Sequence, residues 1–95
     1  MKVIKATWNN VVIAESSETI IIENNHYFPA HSVHLEYLKQ NGEYYNCPWK
    51  GHADYYDIVV GSQANKGASW MYPAPSEKAK EIAGYYAFWK GVTIT

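Results

Sequence analysis

The sequence predicts a mainly β protein folded as one compact domain, and three observations carry that prediction. Ninety-five residues leave room for a single domain. Short runs of β-branched and aromatic residues are separated by Asn-Asn, Gly and Pro punctuation at close spacing. No helically patterned run is long enough for the repeated crossovers that a parallel sheet needs. The expected form is about six to eight short antiparallel strands across residues 1-95, with one short helix after Pro29 and a helical turn after Pro75. Nine Tyr, four Trp and two Phe must build much of its core, because so small a chain has few Leu to spend.

Taken in order, Met1 to Trp8 mixes β-branched and aromatic residues with Lys, as a strand does. Asn9-Asn10 tolerates positive φ and makes a two-residue turn into Val11–Glu15. Thr19–Glu23 holds the Ile20-Ile21-Ile22 run of a buried strand, and Asn24-Asn25 turns the chain into His26-Tyr27-Phe28, so the opening third reads as an antiparallel meander. Ser32 is a candidate cap for a short helix through Leu38, two turns at most and 3₁₀ in part, with Gly42 as its stop. Trp49 to Val60 alternates as a long strand, with Ala53, Tyr55 and Asp57 on one face and Tyr56, Ile58 and Val60 on the other. Gly61–Gly67 reads as a polar loop, and Ala68–Tyr72 as a short aromatic strand stopped by Pro73-Ala74-Pro75. Ser76 caps a helical turn to Ile82, and Tyr85–Lys90 is the last full strand, with Gly91 bending the chain towards Val92–Thr95.

Eight Lys, no Arg and nine acidic residues give a net charge of −1, and the Lys are scattered. That balance argues against nucleic acid as a partner, since phosphate binding draws on clustered cations and on Arg in particular. The single Cys47 cannot form an internal disulfide, which fits a reducing cytoplasm. No window approaches the roughly 20 apolar residues of a membrane-spanning helix, and no signal-peptide pattern opens the chain. The expectation is a soluble cytoplasmic protein that binds neither membrane nor nucleic acid.

Four segments carry a family resemblance. They are Tyr27-Phe28-Pro29 with Ser32-Val33; Cys47-Pro48-Trp49-Lys50-Gly51 with Ala53 and Tyr55-Tyr56; Ala68-Ser69-Trp70-Met71-Tyr72-Pro73; and Ile82-Ala83-Gly84-Tyr85-Tyr86-Ala87-Phe88-Trp89. In order and spacing they resemble the domain of unknown function 427 family, sometimes labelled nucleotidyltransferase-like, over roughly residues 5 to 92. The resemblance implies a compact antiparallel β structure that often associates as a homodimer, and it implies no reaction or cofactor.

Nucleotidyl transfer needs a divalent metal held by carboxylates and a cradle for phosphates. The six glycines are dispersed, Asp54 and Asp57 fall on opposite faces of a strand, and Arg is absent, so that chemistry is not expected. Cys47 is a candidate nucleophile if Lys50 or His52 lowers its pKa; the plainer reading is a small buried side chain at a strand end. His31 and His34, three apart, are a weak metal pair without the paired Cys-x-x-Cys of a zinc site, and no metal is expected. Lys50 could anchor an anion or simply cover a ring with its stem. Trp49, Tyr55, Trp70, Tyr72, Tyr85 and Trp89 are at once core material and the natural walls of a pocket. Three readings result. The first is a module whose aromatic pocket surrounds the Cys47–Gly51 motif and binds a small molecule; the second is a small enzyme using Cys47 or a His with Lys50. The third is a homodimeric interaction domain without chemistry.

Overall fold

Asn9 and Asn10 both adopt left-handed backbone, with φ of 52° and 64°, and so close the tight hairpin between β1 (Ile4–Trp8) and β2 (Val11–Ser16). The computed structural model describes residues 2–95, and within them 56% of the chain is strand. A second hairpin joins β3 (Ile20–Ile22) to β4 (Asn25–Tyr27) through Glu23-Asn24, again with both residues at positive φ. The turn therefore sits one residue earlier than Asn24-Asn25, and Asn25 pairs with Ile22 inside the strand.

β2 and β3 do not pair, so the expected meander is two separate hairpins. β1 and β2 form a three-stranded sheet with β9 (Thr93–Ile94), which pairs with β1 from the far end of the chain. The main sheet is four-stranded and antiparallel, in the order β5 (Leu38–Cys47), β6 (Gly51–Val60), β7 (Gln63–Met71), β8 (Tyr86–Phe88). The described residues thus hold nine strands in three sheets, one more strand than the upper expectation.

The short helix expected after Pro29 forms no α-helical turn. In its place stand two 3₁₀ turns, Ala30–Ser32 and Leu35–Tyr37, followed directly by β5. The Ser32 hydroxyl donates to the Pro29 carbonyl instead of accepting a helix N–H. Val33 bridges to Ala14, and the His34 N–H donates to the Ile13 carbonyl at 2.8 Å. The backbone is thus committed to β2, and no helix can propagate. Gly42, read as a helix stop, instead sits at φ +83° in a bulge of β5. The expected loop Gly61–Gly67 shrinks to a Gly61-Ser62 turn, because Val60 pairs with Gln63 and the polar residues that follow are already strand. The helical turn after Pro75 is present as a 3₁₀ segment, Glu77–Ile82.

β6 alternates as its sequence implies, and each face meets a different core. Tyr56, Ile58 and Val60 pack with Ala6, Ile13, Phe28, Val33 and Phe88 against the β1–β2 sheet. Ala53 and Tyr55 pack with Tyr27, Trp70, Tyr72, Ile82 and Ala87 on the other side. Tyr27 and Phe28 are adjacent, wholly buried, and enter opposite cores. Phe28 and Tyr86 exchange two backbone hydrogen bonds, 2.7 and 2.8 Å, which fasten the β3–β4 hairpin to β8. Ile20 and Ile22 lean on the second core while Ile21 faces solvent, so the Ile run is half exposed rather than buried.

Asp57, on the second face of β6, is buried where both neighbouring strands bulge. Its Oδ1 accepts from Asn41 Nδ2 and from the Gly67 N–H, each at 2.8 Å, and Lys66 Nζ lies 3.7 Å from Oδ2. Burial alone would raise its pKa, but these donors outweigh burial and hold the carboxyl below the usual range. A depressed folded-state pKa contributes stability that is present above the unfolded value, near 3.9, and is lost as pH falls through the folded one. Asp57→Asn is expected to lower stability by about 1–3 kcal/mol at pH 7 and to flatten the acid limb of the wild-type profile. Urea denaturation of both proteins from pH 7 to pH 3 checks this; an unchanged midpoint at pH 7 would show that the carboxylate contributes nothing net.

Candidate functional site

A cleft of about 220 Å³ opens on the second face of the main sheet. Lys50, Tyr55, Trp70, Tyr72 and Trp89 line it, and Asn25 and Tyr45 complete the wall. Strand geometry explains the convergence. Tyr55 and Trp70 are cross-strand partners in β6 and β7, with ring centroids 6.5 Å apart, and Tyr45 pairs with Ala53 one strand over. Tyr27 reaches across from the β3–β4 hairpin, meets Trp70 edge-on at 6.2 Å, and its hydroxyl accepts from Trp70 Nε1 at 3.1 Å. Trp70 is thereby fixed as the floor.

Trp89 forms the outer wall. Its ring is 45% exposed, an unusual cost for so large an apolar surface, yet it is not loose. Its indole N–H donates to the Gly67 carbonyl at 2.7 Å, and its face meets Trp70 edge-on at 5.6 Å. The N–H of the same residue donates to Asp57, so the buried carboxylate and the exposed wall are held by the two consecutive peptide groups that flank Gly67. The cleft continues past Tyr45 and Tyr55 into a shallower depression of about 420 Å³ reached by Gly42, Glu43 and Tyr44.

Lys50 comes from the turn between β5 and β6 and is only 6% exposed. Its ammonium pairs with Glu23 on the β3–β4 turn and lies 5.5 Å from the ring centres of both Trp49 and Tyr72. Burial pulls its pKa down, but the hydrogen bond it donates to Glu23 and the charges of neighbouring groups push it further up, so the cation is held firmly. Glu23 responds in the opposite sense: the hydrogen bond and charge of Lys50 lower its pKa, helped by Trp49 Nε1, which donates to Oε2 at 3.4 Å. Burial pushes the Tyr72 phenol up to about 12 and raises that of Tyr55. Near neutral pH the cleft therefore presents neutral phenols, indoles and one neutralised ammonium.

The remaining sequence candidates lie elsewhere. Trp49 stands at the rim, bound to Glu23, and Tyr85 packs half-buried against the second core outside the cleft. Cys47 is half-buried against that core. His52 sits on the other face of the sheet, where it hydrogen-bonds Asn46 and Asp54 and stacks on Tyr44 at 5.2 Å. Alternation along β5 and β6 thus separates Cys47 from His52, although their strand positions are adjacent. His31 and His34 are exposed and turn to different carboxylates, Glu18 at 3.7 Å and Glu36 at 4.0 Å. Among the described residues, no three His, Cys, Asp or Glu side chains are grouped to hold a metal ion. Three participants escaped the sequence reading: Glu23, Asn25 and Tyr45. The displaced hairpin turn hid the first two, while Tyr45 could have been found from its place in a tyrosine-rich strand two residues from Cys47.

Gly51 holds the Lys50 turn in place. At φ +109°, a Cβ there would lie 3.2 Å from the Ser76 backbone nitrogen. The Ser76 N–H donates to the Lys50 carbonyl at 2.8 Å and its hydroxyl donates to the Trp49 carbonyl. Glycine is required because the Pro75-Ser76 backbone closes over this turn.

Comparison with known proteins gives two findings. A family model described as Domain of unknown function (DUF427) matches residues 1–94. No curated protein matches the chain.

Gly51→Ala is expected to cost about 1–3 kcal/mol through backbone strain, equivalent to a fall of roughly 4–8 °C in Tm per kcal/mol for a domain of this size. Thermal unfolding measures it; an unaltered Tm would mean that the 75-76 segment yields without penalty.

Proposed function

Because the chain belongs to the DUF427 family, whose description assigns no activity, its function has to be argued from its own cleft, and we propose that it is a small-molecule binding module that performs no chemistry. One observation carries the reading. Side chains from β4, the β5–β6 turn, β5, β6 and β7, together with Tyr72 and Trp89, converge on one concave aromatic surface. Trp89 keeps nearly half of its surface in water there, held by a hydrogen bond that does not need a ligand. Preformed aromatic walls with a few polar groups are the usual make-up of ligand sites. At about 220 Å³ the enclosed part is smaller than drug-sized pockets, which suits a molecule of one or two rings.

Enzyme readings find less support. Cys47 has no histidine on its own face of the sheet, and His52 is committed to Asn46 and Asp54. Homodimerisation has one observation in its favour: β5 is ten residues long, lies at the edge of its sheet, and carries the exposed Tyr44 and Tyr45. Sedimentation of the wild type against Tyr44→Lys separates that arrangement from a monomer. A lone half-buried thiol also suits a reducing compartment such as the cytoplasm.

A ligand that binds the folded state alone raises its stability, by about 2.7 kcal/mol at a hundred times Kd. Screening one- and two-ring compounds by thermal shift is expected to give hits that Trp89→Ala weakens at least about tenfold while it remains folded. Hits that bind both proteins equally would place binding away from this cleft.

A further inference from the structure

At the rim of the cleft the chain holds one of its own carboxylates, that of Glu23. Two donors converge on Glu23: the Lys50 ammonium on Oε1 and the Trp49 indole N–H on Oε2. Lys50 is buried and cannot be left without an anion. Glu23, in contrast, is a replaceable partner. Its side chain is 55% exposed, and it stands at the tip of a two-residue hairpin turn. Lys50 lines the aromatic cleft, so the carboxylate that Glu23 supplies sits beside the same pocket.

We propose that this cleft takes a small planar aromatic monocarboxylate, which displaces Glu23 and places its own carboxylate on Lys50 and Trp49 while its ring lies among Trp70, Tyr72 and Trp89. The proposal rests on the binding reading above and adds the ligand class to it. Exchange is nearly balanced: Lys50 keeps one anionic partner throughout, and Glu23 swings into water, where a carboxylate is well solvated. The ring then supplies the surplus by covering exposed indole surface. A neutral molecule of the same shape gains only that second term. A dianion fits worse, because Lys50 is the one cation among the residues that line the cleft, and Glu43 stands at the adjoining depression.

2-Naphthoate and its isosteric amide, 2-naphthamide, separate the two contributions. Titration followed by tryptophan fluorescence is expected to show naphthoate binding Glu23→Gln about tenfold tighter than wild type, since the competing carboxylate no longer reduces the competent fraction. The amide should bind both proteins alike, and Lys50→Met should erase the preference for the acid. In the wild type, where no variant has to fold, naphthoate is expected to shift the Trp49 indole N–H resonance in a ¹H–¹⁵N spectrum as its acceptor leaves; the amide should not. Equal binding of acid and amide to Glu23→Gln, or an unmoved Trp49 resonance at saturation with naphthoate, overturns the carboxylate proposal and leaves the aromatic cleft standing. Binding of neither probe to any of the proteins overturns both.

Discussion

Tyr27 and Phe28 are consecutive residues that the fold sends in opposite directions, and the remaining architecture follows from that step. A strand puts neighbouring side chains on opposite faces, so two wholly buried rings in a row require an apolar environment on both sides. Phe28 enters the core under the β1–β2 sheet, edge-on to Phe88 at 5.6 Å. Tyr27 enters the other core, edge-on to Trp70. Burying one such ring contributes about 1.5–3 kcal/mol, and both contributions need the main sheet to be covered on both faces. The two-way backbone bond between Phe28 and Tyr86 sets that arrangement in register.

This two-sided burial explains why the binding cleft lies where it does. The first face is closed by a broad three-stranded sheet. The second has a two-stranded hairpin and a 3₁₀ segment over it, too little to cover a ten-residue strand pair. What remains uncovered is the cleft walled by Tyr55 and Trp89, with the buried Trp70 as its floor. The two buried charges stand close to this gap and shape it differently. Asp57 is satisfied by groups from both neighbouring strands, one of them the N–H of Gly67, whose carbonyl accepts from Trp89. Lys50 is satisfied by a single exposed carboxylate. The first is a structural anchor; the second has a partner that solvent and ligands can reach.

The β class, the Asn9-Asn10 hairpin, the two faces of β6 and the turn after Pro75 were legible because each rests on local rules: strand alternation, the φ tolerance of Asn, and proline's refusal to continue a strand. Five of the residues that line the cleft were named from the sequence, Tyr55, Trp70, Tyr72 and Trp89 from its aromatic motifs and Lys50 from its place in the Cys47–Gly51 motif. The helix after Pro29 was misread for the same local reason. Ser32 and Gly42 carry helix punctuation, but Val33 and His34 bond to β2, a partner about twenty residues away that spacing along the chain does not reveal.

By itself, then, the sequence determined that this chain is a single β domain with an aromatic interior, because those properties follow from composition and from periodicity over a few residues. Tertiary structure decided the rest: which hairpin lies on which face, that Glu23 pairs with Lys50, and that Cys47 and His52 stand on opposite sides of one sheet. The physical reason is range. Strand pairing and charge pairing join residues such as Glu23 and Lys50, 27 positions apart, and their geometry exists only once the intervening chain has folded.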